Sequence, residues 1–340
     1  MSWSFSQISQ IFELAESGLL HSGQVRDAAR VGALRPDRAA WLAMGRRVCA
    51  YAGTLLLASG IIFFFAYNWA DLHRFAKIGL ALAGVVAMVV AAARRHPFST
   101  GWRAALFGAS LCTGALLALI GQIYQTGADI WELFAAWALL MTPLALLARS
   151  SASWFMWLVV ANTALLCALG RRFDYFYFEI DHFRFEQGDQ ALCILASFNL
   201  LLLLALELWS ARLLVHVRRH LHRLTALAML YPLSAAAIVC LVWEREEHAP
   251  LTAGFFGVAA MMFWFYSRIR HDLAMLAIAG FALIIVTTTG LGHWLDIGNS
   301  ALYLFLVALY LIVTTGVLVV WLKRLHRSAS TPAREQEETA

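Results

Sequence analysis

Charge is scarce in this chain of 340 residues, with Asp, Glu, Lys and Arg together making up 14%. A water-soluble domain carries about a quarter charged residues, so composition excludes a soluble fold of this length. Cysteine is scarce too. The five present (Cys49, Cys112, Cys167, Cys193 and Cys240) all fall inside long apolar runs and share no paired spacing. They read as small packing residues, not as a disulfide framework or a metal site. A P-loop, an HExxH pair, a serine nucleophile elbow and a GxGxxG turn are all missing. The sequence therefore offers no catalytic residue, no cofactor-binding set and no metal set, and an enzyme is not expected.

What the chain has is apolar length: 61% of residues are hydrophobic and the mean hydropathy is +0.69. Ten runs predict membrane spans, at 48–67, 76–93, 104–123, 131–148, 152–169, 190–209, 223–243, 251–267, 272–290 and 300–322. Each is long enough to cross the hydrocarbon as a helix. Lipid cannot satisfy open backbone groups, and the alternation of a membrane barrel is absent, so helices are the solution. The expected fold is all-α: a polytopic helical membrane protein of about ten transmembrane helices with a short cytoplasmic helical cap.

The cations test that count. With the N-terminus inside, only Arg74, Lys77, Arg171, Arg172, Arg184 and Arg245 fall on the outer side, and the other 20 of the 26 fall inside. Such a bias sets orientation, and one span more or fewer would destroy it. The expectation is a bacterial inner-membrane protein with both termini cytoplasmic. Twelve of the 21 acidic residues fall outside, so the net charge of +5 reflects orientation toward anionic inner-leaflet lipid. Nucleic acid is not an expected partner; the lipid bilayer is.

Residues 1–47 form the expected cap. Phe5, Ile8, Ile11, Phe12, Ala15 and Leu19 keep helical spacing, a second helix fits 23–34, and a third runs from Asp37 through Arg47 into the first span. No cleavable signal peptide precedes that span, which would itself direct insertion. A DNA-reading helix-turn-helix carries little weight, since its arginines are scattered and it is tethered to the membrane. At the other end, the polar tail 323–340 is expected to be disordered.

The most specific residues sit on two outward turns of a four-span core, 48–148. One is Asn68-Trp69-Ala70-Asp71, following the aromatic patch Phe63, Phe64, Phe65 and Tyr67. Aromatic rings at a span's end mark the lipid–water boundary, and Asn68 and Asp71 suit a helix cap. The second turn gathers Gln122, Tyr124, Gln125, Thr126 and Asp129 between glycines and runs into Trp131 and Glu132. Thr113 and Gly114 give the third span a small face for helix contact, and Pro143 opens the ladder of the fourth, so neighbouring groups must satisfy it.

The patterns GLL-H-SGQ, LLLASGIIFFFAYNW and GQIYQTGADIWELFAAWALLMTPLAL resemble the domain-of-unknown-function 2157 family of bacterial membrane proteins, over about residues 10–150. The resemblance implies an inner-membrane protein with an N-terminal helical cap. It implies no established activity and no catalytic residue, and it points weakly to a complex with other envelope proteins.

Six further spans follow, within 149–322. Asn162 and Asn199 lie near the middle of two consecutive spans, so antiparallel helices bring them to one depth, and each amide must face the bundle. One reading is a hydrogen bond that ties two helices; the other is a polar cavity. Glu132 and Glu207 fall at span ends, where snorkelling to the interface is cheap. A buried mid-span carboxylate or histidine, usual in proton-coupled pumps, is missing. The long outer loop 170–189 mixes aromatic and acidic residues, among them Tyr175, Tyr177, Glu179, Asp181 and Phe183, and alternates like a strand from Asp181 to Glu186. It lies in the headgroup region, covers the bundle mouth or docks a partner. His216, His220 and His222 stand among arginines and read as a positive inner anchor.

Two functions are compatible with this inventory. One is a transporter or lipid-handling protein with a central polar cavity, its candidate lining being Asn162, Asn199, Gln122, Tyr124, Gln125, Asp129 and Glu132. The other is a non-catalytic membrane scaffold or subunit that docks envelope partners through the 170–189 loop. Ten spans also divide arithmetically into two halves of inverted orientation, with no residue-level echo between them.

Overall fold

The computed structural model describes residues 38–67, 73–124, 127–173, 188–214, 219–243, 249–295 and 301–337. Within them the chain forms ten helices: α1 Arg38–Tyr67, α2 Arg74–Ala93, α3 Thr100–Tyr124, α4 Ile130–Ala148, α5 Ser151–Phe173, α6 Gly188–Leu213, α7 His220–Trp243, α8 Ala249–Arg268, α9 Leu273–Trp294 and α10 Ala301–Glu337. No strand occurs among the described residues. Nine helices, α2 to α10, are long and apolar enough to cross a membrane, and the 48–67 part of α1 carries no charged residue. The ten expected spans thus fall one to a helix. The helices expected at 3–20 and 23–34, the caps Asn68 and Asp71, Gln125 and the strand at 181–186 lie outside the described residues.

Two boundaries differ from expectation or sharpen it. The third cap helix merges with the first span, and α1 runs unbroken from Arg38. The 323–340 tail, expected to be disordered, continues α10 to Glu337 instead. Its Ala, Arg, Gln and Glu residues are strong helix formers, and the span behind them has already met the cost of nucleation.

In the first half α3 is the hub, with α1, α2 and α4 packed on it and α5 packed on α4. In the second half α7 takes α6, α8 and α9, while α9 also takes α8 and α10. The fifth helix joins the halves by touching both α6 and α7. Small residues make these approaches close. A Cβ on Gly108 would sit 2.5 Å from Thr54 Cγ2 and 3.0 Å from Met88 Sδ, so α1 and α2 reach α3 at the same residue. The Trp137 ring of α4 covers Gly114, and its Nε1 donates to the Ser110 carbonyl at 2.8 Å. Without a hydrophobic drive between helices in lipid, such van der Waals fit is what associates them.

Many polar groups on the spans are satisfied locally, Ser153 Oγ and Thr288 Oγ1 being buried exceptions without a partner among the described residues. The hydroxyls of Ser110, Thr113, Thr142, Thr225 and Thr314 each donate to the carbonyl four residues back. The turn preceding Pro143 is the most heavily served: Ala138 O accepts from Thr142 Oγ1 at 2.7 Å and from Trp157 Nε1 of α5 at 3.1 Å. Large apolar side chains left exposed, such as Leu139, Leu201, Leu304 and Ile312, form the surface a bilayer would cover.

Short turns reverse the chain at one end of the bundle, at 94–99, 149–150 and 269–272. Three non-glycine residues with positive φ, Phe98, Arg149 and His271, all lie in these turns. Tyr51 Oη and Ser150 Oγ share a hydrogen bond of 2.9 Å within the first half, and Trp154 Nε1 donates to Leu213 O at 3.1 Å, a bond that ties the two halves together there. This end also collects most of the described arginines and is called the charged end below.

Candidate functional site

The two central amides meet each other. Asn162 Nδ2 donates to Asn199 Oδ1 at 3.2 Å and Asn199 Nδ2 donates to Asn162 Oδ1 at 2.7 Å. Each also donates to its own helix, to Leu158 O at 2.9 Å and Leu195 O at 3.0 Å. An amide nitrogen has two donors, so all four N–H groups are used. Asn199 is fully buried. The pair closes α5 onto α6 about halfway along both helices.

The far-end turn stands apart from that pair. Gln122, Tyr124 and Glu132 are exposed, and Asp129 is half-buried at the N-cap position of α4. The structure therefore places the candidate cavity residues it describes in two groups, a hydrogen-bonded central pair and a rim at the far-end turn. The loop candidates Tyr175, Tyr177, Glu179, Asp181 and Phe183, like Gln125, lie outside the described residues. Two open grooves are present elsewhere. An apolar one of about 480 Å³ runs between α1 and α2 past Leu56, Gly60 and Ala83. Another, of about 640 Å³, lies near the far end of α9 against Phe256, Thr287, His293 and Tyr310.

The densest polar chemistry sits at the charged end of the second half. Glu207 near the end of α6 was expected to snorkel; instead its side chain is 9% exposed and held from three sides. Arg219 Nη2 lies 2.5 Å from Glu207 Oε1, Tyr266 Oη donates to the same oxygen at 2.8 Å, and Arg270 Nε lies 3.7 Å from Oε2. Snorkelling loses because paired cations within the bundle replace the water that the carboxylate would otherwise need.

Asp272 forms the second half of this network, with its side chain 4% exposed. Its Oδ1 caps α9, accepting from Ala274 N at 3.1 Å and Met275 N at 3.3 Å. The same oxygen takes Arg223 Nη2 at 3.2 Å, and Oδ2 takes Arg219 Nε at 2.6 Å. Arg219 therefore bridges both carboxylates, with its guanidinium 5.6 Å from the Tyr266 ring centre. Beside it His222, buried, places Nε2 at 3.2 Å from Leu206 O. One network thus locks α6, α7, α8 and α9 together. Among the described residues no group of three His, Cys, Asp or Glu side chains could hold a metal ion.

Sequence reasoning missed this network because its members are spread from 12 to 65 residues beyond Glu207. The one legible signal was Asp272 directly ahead of an apolar run, the position of an N-cap.

Ten helices among the described residues, nine of them long and apolar enough to span a bilayer, with an exposed apolar surface, define a polytopic α-helical membrane protein. Residues 12–154 match the family described as Predicted membrane protein (DUF2157). That match covers α1 to α4 and the first turn of α5, so the charged network lies beyond it. No curated protein and no solved structure matches the chain.

Proposed function

We propose that this chain is a non-catalytic membrane subunit that docks partner proteins of the bacterial envelope, and not a transporter built on a central polar cavity. The observation that carries this is the Asn162–Asn199 pair. A solute path at that depth needs polar groups free to replace the solute's water, and both amides spend every donor on each other and on their own helices. The aromatic and acidic loop at 170–189 is the segment we assign to partner contact. The arginine bias supports placing the charged end on the cytoplasmic side.

The test is water access at the pair. In a chain whose five native cysteines are replaced, Asn199→Cys is introduced and treated with a charged, membrane-impermeant thiol reagent in proteoliposomes, from each side in turn. The scaffold reading expects no labelling from either side, while Gln122→Cys, at an exposed polar position near the end of α3, labels as a control. Labelling of Asn199→Cys from one side or from both overturns it in favour of a conducting pathway.

A further inference from the structure

The charged network has more donors than acceptors. Each carboxylate oxygen faces a cation: Glu207 Oε1 takes Arg219 and Tyr266, Glu207 Oε2 faces Arg270, Asp272 Oδ1 takes Arg223 and two backbone N–H groups, and Asp272 Oδ2 makes an ion pair with Arg219 Nε that lacks hydrogen-bond geometry. A guanidinium carries five N–H donors. Arg223 uses one of its donors on Asp272, and Arg270 uses one, at 3.4 Å, on the Glu207 carbonyl. Arg223 Nε is buried with no hydrogen-bond partner among the described residues. Three arginines against two carboxylates also leave one positive charge that an anion would balance.

The helix ends that carry these donors also expose large apolar side chains, alongside His220, Arg268 and His271. Leu208 and Trp209 on α6, Trp264 on α8 and Ile269 just beyond it are 73%, 52%, 58% and 53% exposed. Tryptophan and exposed aliphatic side chains beside arginines mark the level of the lipid headgroups. Arg223 and Arg270 have side chains 35% and 49% exposed. A free anion would meet these donors only from water. A phospholipid would bring an anionic oxygen to them while its acyl chains cover the neighbouring apolar surface.

We infer that Arg223 and Arg270 bind the phosphate of an anionic phospholipid at the charged end of α6–α9. The phosphate supplies acceptors for the unspent donors in charge-assisted bonds and cancels the surplus charge, as basic pockets between transmembrane helices do for headgroups. This site does not depend on the scaffold reading, since it would form equally in a transporter.

The test uses the full chain in a neutral maltoside detergent, titrated with phosphatidylglycerol, phosphatidylcholine or inorganic phosphate, and bound lipid is counted by native mass spectrometry. Phosphatidylglycerol should be retained at concentrations where phosphatidylcholine is not, and inorganic phosphate at millimolar levels should not displace it. Arg223→Gln/Arg270→Gln should weaken retention at least tenfold, while Lys323→Gln, exposed on α10, should leave it unchanged. Arg270→Gln alone, which removes only one long bond and one 3.7 Å ion pair, tests the site should the double variant misfold, and should itself weaken retention several-fold. Equal retention by wild type and the folded variants overturns the assignment, as does equal retention of the two lipids. Displacement by inorganic phosphate would identify a free-anion site and overturn the lipid.

Discussion

A single carboxylate, Asp272, caps α9 through two backbone N–H groups and pairs with two arginines, Arg219 and Arg223. Removing it strands Arg223, leaves Arg219 with Glu207 alone and uncaps the helix. For Asp272→Ala we expect a loss of about 3–5 kcal/mol, the usual cost of breaking a buried pair from one side, read by unfolding in mixed micelles. The Asn162–Asn199 pair should behave differently. Polar contacts inside membranes average about 0.6 kcal/mol, so replacing both amides by leucine should change stability by less than about 1 kcal/mol in the same assay. A cost for Asn162→Leu/Asn199→Leu as large as that of Asp272→Ala would show that the pair, not the charged network, holds the bundle. The contrast also shows how far sequence reading carries. Two lone amides at the middle of consecutive runs announce their own depth and partner. Glu207 does not, because a carboxylate at a span's end reads as solvated until its partners on α7 and α8 are placed beside it.

At the scale of the element, the helices themselves were legible and their neighbours were not. An apolar run long enough to cross lipid has one backbone solution, so every expected span lies on a helix. Which helix faces which depends on shape. Gly114 was readable as a small contact residue, but the Trp137 ring that fills the space above it was not. The fit makes a sharp prediction. Gly114→Val must displace an indole that is also held by a 2.8 Å hydrogen bond to Ser110 O, and overpacking of this kind costs about 1–3 kcal/mol. Gly121→Val, seven residues on along α3, meets open space and should cost markedly less. Both are compared by thermal unfolding of the purified variants. Similar losses at the two positions would mean that α4 does not seat on α3 as described. The α10 tail shows the opposite failure of reading: polarity suggested disorder, whereas continuity with a preformed span extends the helix to Glu337.

At the scale of the whole molecule, ten helices invite division into two inverted halves, and the packing does not echo it. The hub of the first half is its third helix, α3, whereas in the second half α7, its second helix, takes three partners. The halves are instead tied through α5, by the amide pair at mid-depth and by Trp154 on Leu213 O at the charged end. Alternating access requires the halves to rock against each other around a polar centre, and these ties oppose that motion. The direct measurement is a distance distribution across the halves. Spin labels at Val90→Cys on α2 and Lys323→Cys on α10, both exposed, report it in a cysteine-replaced chain in nanodiscs by double electron–electron resonance. The account predicts one distance population, unmoved by pH, salt or added solutes. Two populations whose ratio shifts with any of these would contradict it and make the chain a transporter.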